Sequence, residues 1–468
     1  MQKVFDDCYA MDSRCYEEFG LTEDILMEHA ALGLDRYIRS LDDNIKDIFI
    51  VAGPGNNGAD GITLARLLHN DFNVSLYMPY GAKSKMAKLQ LQRALKLGVT
   101  LAKNTPLQAD VIVDALFGAG FSKPLDEKGI EIIDSLNSKK AKKIACDIPT
   151  GIDPNGNPNP ICFKADITIT MGALKKALFA DNSKPYVGEI EVVDLGVSRK
   201  VYEIDTSTYL LTEDDFNPPI RKNPTSHKGD FGHLAIISGQ KSGAATLSGL
   251  SALRFGAGLV TLVSSNRIEN LPFSLMQSKD LPNNINAIAI GMGMGSKIDL
   301  EFKKLIVEND IPILMDADIC YVPWVKTLLD SCSKTVITPH PKEFSALLET
   351  VGIAKVSVND IQKDRFGWAK RFCQAFPKSV LLLKGANTII AYKDKIYINP
   401  LGSSVLSQAG SGDILSGLIA SLMAQNYSTL DATINGSLAL ALCAKNYKGA
   451  NYSAIAEDLI KELRWLVK

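Results

Sequence analysis

A chain of 468 residues is too long for one ordinary core, and an apolar fraction of 46% is ample for two or three well-buried domains. Charged residues make up 22% and sum to a formal net charge of -1, which leaves no basic excess for nucleic acid and no basic stripe for a membrane surface. The eight cysteines are scattered without a Cys-x-x-Cys pair, the acidic start Met1 to Asp7 has no apolar signal core, and no apolar run is long enough to span a bilayer, so a cytoplasmic protein without structural zinc or disulfides is expected.

Short apolar runs alternate with helical segments, the pattern of parallel α/β sheets. Thr22 to Leu41 reads as a helix capped by Thr22, with Ile25, Leu26, Ala30, Leu34 and Ile38 on one face. Asp47 to Ala52 reads as a buried strand, Gly53 to Gly61 as a loop, and Ile62 to Leu68 as the next helix. Val74 to Met78, Val111 to Leu116, Lys143 to Asp147, Ile167 to Met171 and Gly188 to Val193 complete a first block of strands. From about Ser198 to Lys228 the pattern gives way to turn-rich sequence, which places a boundary near residue 208. A second series follows, with strands at His233 to Ser238, Leu259 to Val263, Ala287 to Ile290, Ile313 to Asp316, Thr335 to Thr338 and Val380 to Lys384.

In the first block, Gly53-Pro54-Gly55-Asn56-Asn57-Gly58-Ala59-Asp60-Gly61 satisfies the dinucleotide pattern G-x-G-x-x-G. The next strand ends Tyr77-Met78-Pro79-Tyr80, without the acidic residue that would hold a ribose, so the ordinary nicotinamide-binding reading fails its second test. Asp114 to Phe121 and Asp147 to Asp153 are two further strand-turn stretches. If their strands are neighbours, Asn57, Asp114 and Thr150 converge on one cation, and a single carboxylate suits a monovalent ion better than magnesium. The bland alternative is that Asp114 and Asp147 only cap turns.

These stretches, with Leu26-Met27-Glu28-His29-Ala30 before them, resemble the signatures of the NAD(P)HX epimerase family over roughly the first half of the chain. The resemblance implies a Rossmann-like three-layer α/β domain over residues 1–207 that binds hydrated nicotinamide cofactor. It implies a potassium site at Asn57, Asp114 and Thr150. Substrate contacts are implied for Asn56, Asn57, Gly58, Ala59, Asp60, Gly118, Ala119, Gly120, Phe121, Ser122, Lys123, Pro124 and Asp147. Ala59, His29 and Ala119 depart from the family's usual Gly, Asn and Thr, and a methyl at Ala59 crowds the loop if φ there is positive.

In the second block, Gly402 to Gly417 contains Gly410-Ser411-Gly412-Asp413, a glycine-rich anion loop opening a helix with one carboxylate just inside. Converging backbone N–H groups and the helix dipole suit a phosphate. A carboxylate there has a task if it takes a proton from a hydroxyl attacking the phosphoryl group. His340 in Thr338-Pro339-His340-Pro341 reads as a turn imidazole stiffened by prolines, and Lys384 ends a strand where it meets either an acid or a phosphate.

With His227-Lys228-Gly229 and Gly256-Ala257-Gly258, these motifs resemble the NAD(P)H-hydrate dehydratase family, which has a ribokinase-like α/β fold, over residues 208–468. Lys342 and the stretch Leu401 to Gln408 depart from that family's pattern. The resemblance implies Asp413 as catalytic base and substrate contacts from Ala244, Gly293, His340 and Asp413. It implies nucleotide contacts from Lys384, Gly385, Ala386, Asn387, Thr388, Gly410 and Gly412, with magnesium bridging the phosphates and ADP or ATP as donor. In tandem the halves look like bifunctional NAD(P)H-hydrate repair enzymes, the first interconverting R and S hydrates with Asp147 as acid/base. The second would phosphorylate the hydroxyl of the S form so that the ring nitrogen expels phosphate. A homo-oligomer is expected, with no nucleic-acid or membrane partner. The rival expectations are a small-alcohol kinase of a vitamin precursor, in which the first half has no part, and a binding protein with a dead nucleotide-sensing half.

Overall fold

The computed structural model of the protein describes residues 1–42, 44–295 and 306–467. The chain divides into two compact units, Lys3–Thr206 and Ser207–Lys468, the latter joined by Met1–Gln2.

The first unit runs β1 (Gln2–Phe5), α1 (Tyr9–Glu17), α2 (Glu23–Arg39), β2 (Asp47–Ala52), α3 (Asn56–Leu68), β3 (Asn73–Tyr77), α4 (Lys85–Lys96), β4 (Thr100–Ala102), β5 (Val111–Ala115), α5 (Glu127–Asn137), β6 (Lys142–Cys146), β7 (Ile167–Met171), β8 (Leu174–Lys175), α6 (Lys184–Val187), β9 (Glu189–Val193) and α7 (Arg199–Tyr202). Seven of its strands form a parallel sheet in the order β4-β3-β2-β5-β6-β7-β9. β1 pairs in parallel with β8, Val4 opposite Leu174 and Phe5 opposite Lys175.

Helices cover both faces of the sheet, so its central strands are apolar at nearly every position. The two-residue period then sorts those side chains into two cores. Ile48, Ile50, Val113 and Ile144 join a cluster with Leu26, Leu34, Ile62 and Leu68. Phe49, Val51, Ile112 and Ala145 join another with Ile132, Ile133 and Leu136 of α5. Each such aliphatic side chain contributes about 1.5–3 kcal/mol on burial.

Two local expectations change. α3 begins at Asn56, so Asn56 to Gly61 is helical rather than loop. The glycines there serve close approach: a Cβ on Gly58 would lie 1.9 Å from the Gly53 carbonyl, and one on Gly61 would lie 2.6 Å from Ala115 Cβ. Ala59 is therefore an ordinary buried helical residue, outside the positive-φ positions, so the condition for crowding by its methyl is not met. Thr22 precedes α2 as expected, but its hydroxyl donates to Asp24 (2.6 Å) and caps no backbone N–H.

In the second unit the strands are β10 (Thr208–Leu210), β11 (His233–Ile237), β12 (Leu259–Val263), β13 (Met276–Ser278), β14 (Ala287–Ile290), β15 (Ile313–Met315), β16 (Thr335–Ile337), β17 (Ser379–Leu383), β18 (Thr388–Tyr392) and β19 (Lys395–Asn399). They lie in the order β13-β12-β11-β14-β15-β16-β17-β18-β19-β10. From β13 to β17 neighbours are parallel, whereas β17-β18 and β18-β19 are antiparallel, a hairpin region that the expectation of parallel sheets throughout did not contain.

One core of this unit is built on α8 (Ser242–Arg254) and the helix Ser411–Ala424. Every residue from Ile414 to Ala424 is buried. The two helices touch so closely at Gly417 that a Cβ there would lie 2.0 Å from Ser251 Oγ and 2.1 Å from the Ser248 carbonyl. Ser248 Oγ donates to the Asp413 carbonyl (2.8 Å) and Ser251 Oγ to that of Ile414 (3.2 Å), which locks the start of the helix in place.

Candidate active sites

In the first unit the strand order reverses between β2 and β5, since β3 and β4 lie to one side and β6, β7 and β9 to the other. Crevices at such reversals, at the carboxyl ends of parallel strands, are where open α/β sheets take ligands. The ends of β2, β5 and β6 meet there. Asp114, fully buried on β5, accepts hydrogen bonds from Thr150 N (2.7 Å), Thr150 Oγ1 (2.7 Å) and Leu116 N (3.1 Å). Phe117 N donates to Thr150 Oγ1 (3.0 Å). Burial pushes the Asp114 carboxyl up to about 6 in spite of the donors from Thr150 and Leu116.

Beside them, the amide nitrogen and oxygen of Asn57 are buried with no hydrogen-bond partner among the described residues. Gly118 makes room for that amide, because a Cβ there would lie 3.1 Å from Asn57 Cγ. A buried amide oxygen without a donor requires an explanation. Joined to a buried carboxylate and a threonine oxygen, it forms a donor set that fits a hard cation of low charge. No group of three or more His, Cys, Asp or Glu side chains suited to a metal ion occurs among the described residues.

The same edge opens into a cavity of about 670 Å³. Of the residues expected from sequence, Asn56, Asn57, Asp60, Gly118, Ala119, Gly120, Phe121 and Asp147 line it. Gly58 and Ala59 are buried within α3, while Ser122, Lys123 and Pro124 are exposed and lie outside the lining. Sequence reasoning missed Asp7, Asp12, Tyr16, Glu23, Lys175 and Tyr202, which are polar residues of the same wall.

Lys175 is the consequential omission. Its Nζ lies 2.7 Å from Asp147 Oδ1 and donates to Thr170 Oγ1 (3.0 Å) and the Met171 carbonyl (2.9 Å), with its side chain almost wholly buried. Asp147 itself has φ +72, a left-handed conformation that Asp tolerates better than most residues. It also accepts from Ala119 N (3.3 Å) and Met171 N (3.3 Å). The contact from Ala119 is a backbone one, so it does not need the side chain that the family usually has there. Burial would raise the Asp147 carboxyl, but Lys175 and the surrounding N–H groups outweigh it and hold the group below the ordinary range. Burial likewise opposes charge on Lys175, and Asp147 again prevails, holding it protonated. Asp60 is driven the other way: burial, then the charges of Asp147, Asp12 and Glu23, push it well above the ordinary carboxylate range.

In the second unit the strand order reverses between β11 and β14, and the expected residues gather at the carboxyl edge of β14 to β17. Gly410, at φ +91, leads into the helix Ser411–Ala424, and Asp413 sits half-buried in its first turn. Lys384 Nζ contacts Asp316 Oδ1 at 2.7 Å and Glu343 Oε2 at 3.9 Å, and Ser416 Oγ donates to Asp316 Oδ2 (2.7 Å). A Cβ on Gly412 would lie 3.2 Å from Lys384 Nζ, so the anion loop and the lysine are adjacent. Burial, reinforced by Asp316 and partly offset by Lys384, pushes Asp413 up to about 6. That value suits a base working near neutrality.

His340 is not a loose turn residue. It caps the helix Pro341–Thr350, its Nδ1 accepting from Lys342 N (3.1 Å) and Glu343 N (3.2 Å) while Glu343 returns to His340 N (2.8 Å). Those contacts leave the proton on Nε2, which lies 3.2 Å from Glu343 Oε1. Ala244 and Gly293 are neighbours: a Cβ on Gly293 would lie 3.2 Å from Ala244 Cβ. The stretch Lys384 to Thr388, with Gly385, Ala386 and Asn387, is held by Arg365, which donates to the carbonyls of Leu383 (3.1 Å), Lys384 (2.9 Å) and Asn387 (3.1 Å). Arg365, Asp316 and Glu343 were not singled out from sequence. Asp316 at a strand end and the Glu three residues after His340 were the available signals.

Comparison with known proteins follows the same division. Residues 23–177 match the family described as YjeF-related protein N-terminus, and residues 234–464 match the family described as NAD(P)H-hydrate dehydratase. The bifunctional NAD(P)H-hydrate repair enzyme Nnr of Helicobacter pylori is 43% identical, with all of both chains covered. Its Escherichia coli counterpart is 31% identical, over 99% of this chain and 93% of that one. Among solved structures, the ADP/ATP-dependent NAD(P)H-hydrate dehydratase of Bacillus subtilis, co-crystallised with ATP and Mg2+, is 26% identical over 55% of this chain and 96% of that chain, with a TM-score of 0.46.

Proposed function

The chain belongs to the family of bifunctional NAD(P)H-hydrate repair enzymes, and on that premise we propose how its two sites divide the work. The cavity of the first unit, within residues 1–207, equilibrates the R and S hydrates, with Asp147 as one acid/base group of the reaction and Lys175 keeping it anionic at rest. The second unit, within residues 208–468, dehydrates the S form to NAD(P)H at the expense of ADP or ATP. Hydroxide is a poor leaving group, so Asp413 takes the proton from the hydroxyl while the phosphoryl group is transferred to it. The ring nitrogen lone pair then drives phosphate out. The amides at Gly410 to Gly412 and the nearby Lys384 offset charge on the phosphates. Lys384, Gly385, Ala386, Asn387 and Thr388 form the nucleotide-binding edge, and Ala244, Gly293 and His340 the substrate side.

The observation that carries this reading is Asp413: one half-buried carboxylate, its pKa pushed up to about 6, just inside a helix N-terminus beside the half-buried Lys384. Magnesium would be held chiefly by nucleotide phosphates, with Asp316 and Glu343 as the nearby carboxylates. Potassium fits Asn57, Asp114 and Thr150, where it would supply a fixed positive charge and tie the ends of β2, β5 and β6 together. In this reading the protein works in the cytoplasm as a homo-oligomer. Among the described residues, no helix is long and apolar enough to cross a membrane. The small-alcohol kinase reading is not favoured, because it gives the first unit no task.

The test is to incubate the protein with NADH hydrate and either ADP or ATP, following restored NADH absorbance and the epimer ratio. Asp413→Ala is expected to abolish nucleotide-dependent NADH recovery while epimerisation persists. Full dehydration by that variant would end the assignment, and a phosphorylated product that accumulates instead of free phosphate would revive the kinase.

A further inference from the structure

Changing the configuration at the hydroxyl-bearing C6 poses a two-sided problem. The ring nitrogen lone pair expels the hydroxyl, which must gain a proton to leave as water. The water that adds to the other face must lose one. A single group can do both only on one face, which regenerates the starting epimer. Inversion therefore requires an acid and a base on different walls, the logic that separates paired carboxyl groups in inverting glycosidases.

Five carboxyl groups line the cavity: Asp7, Asp12, Glu23, Asp60 and Asp147. Asp7 accepts from Tyr9 N (3.0 Å), Asp12 from Tyr202 OH (2.7 Å), and Glu23 from Asn56 Nδ2 (2.5 Å). Asp147 is bound to Lys175. Asp60, in α3, has no hydrogen-bond donor or ion-pair partner for its carboxyl among the described residues. The titratable groups facing it are Asp12 and Tyr16 of α1, Glu23 of α2, Cys146 and Asp147 at the end of β6, and Lys175 of β8. Lys175 is the cation in that set, and it is committed to Asp147.

We propose that Asp60 is a second catalytic residue of the epimerase, a carboxylic acid that protonates the departing C6 hydroxyl while Asp147 takes a proton from the water that adds. This rests on the epimerase reading of the cavity. The C6–O bond breaks with its electron pair on oxygen, which leaves as water bearing the Asp60 proton. The new C6–O bond forms on the opposite face, and the surplus proton passes to Asp147. The ring's oxidation state is unchanged, one proton has moved from Asp60 to Asp147, and cavity water returns it. The opposite electrostatic settings of the two groups match this division, since environments that push two carboxyl groups apart assign acid and base.

The test uses the full-length protein and one purified epimer of NADH hydrate without nucleotide, with the epimer ratio followed from pH 5 to 10. Asp60→Asn is expected to lower kcat about 100-fold or more with little change in KM. The wild-type rate should fall on the alkaline side, that limb should vanish in Asp60→Asn, and Asp60→Glu should regain part of the rate together with the limb. An unchanged circular dichroism spectrum checks the fold. Asp60→Asn at near wild-type kcat, or with a loss confined to KM and the limb unmoved, overturns the proposal. If Asp147→Asn is inactive while Asp60→Asn is active, only the role of Asp60 falls; if both variants match wild type, the epimerase reading of the cavity falls with it.

Discussion

Replacing Lys175 with Met removes the cation that holds Asp147, and the outcome follows from the geometry. The pair is 2.7 Å apart, with side-chain exposures of 3% and 14%. Removing one partner of a buried pair costs roughly 3–5 kcal/mol, because the other charge is left in a poorly solvating site. At about 2–4 °C per kcal/mol for a unit of some 200 residues, the first unit should melt roughly 6–20 °C lower. The sign with pH is also set. In the wild type Asp147 is depressed, so its contribution is complete above the unfolded carboxylate value of about 4 and is lost as pH falls through the folded value. Lys175 is raised, so its contribution is present below about 10.4 and is lost as pH rises through the folded value. In Lys175→Met burial, the largest influence on Asp147, is opposed only by the N–H donors of Ala119 and Met171, so its pKa rises, and the variant loses stability as pH climbs above about 4. The gap to wild type should therefore widen from pH 4 to pH 7 in calorimetric scans. The double variant Asp147→Asn/Lys175→Met should recover much of the loss, a coupling that a double-mutant cycle reads directly. A Lys175→Met protein that melts within about 2 °C of wild type at pH 7 and epimerises at the same rate would refute the reasoning.

Three further outcomes are expected. The dehydration rate should climb with pH through about 6 as Asp413 loses its proton, and Asp413→Asn should cost at least about 100-fold across the range; a flat profile in the wild type would remove Asp413 as base. Asn57→Ala removes the buried amide without a partner, so potassium should no longer raise the melting temperature relative to a bulky cation such as tetramethylammonium; an unchanged potassium response would move the ion elsewhere. Gly417→Ala puts a methyl 2.0 Å from Ser251 Oγ and should lower stability by about 1–3 kcal/mol in urea unfolding, with a loss of dehydration because the Asp413 helix must shift.

Much of both sites was legible in the chain because glycine, proline and strand-end carboxylates carry local signals. The series of buried strands, the anion loop at Gly410 to Asp413 and the three motifs around Asn57, Asp114 and Thr150 are each encoded within a dozen residues. Lys175 was not legible. It stands beside Lys176, and a lysine pair reads as solvated surface; only the pairing of β1 with β8 and the packing around Asp147 make it a buried cation. The helical start at Asn56 was equally hidden. Glycines favour loops on local propensity, and only the closeness of the Gly53 carbonyl and Ala115 shows why a helix needs them there.

What the sequence by itself determined is the inventory: which strands are buried on both faces, which turns are rich in glycine, and which acids sit at strand ends. Tertiary structure decided adjacency and charge. The order β2-β5-β6 brings together residues as far apart as Asn57 and Thr150, and the environment shifts the carboxyl groups of Asp60 and Asp147 in opposite directions. The physical reason is range. Propensity and turn chemistry act over a few neighbouring residues, whereas a buried group's pKa depends on every charge and donor that the fold places around it.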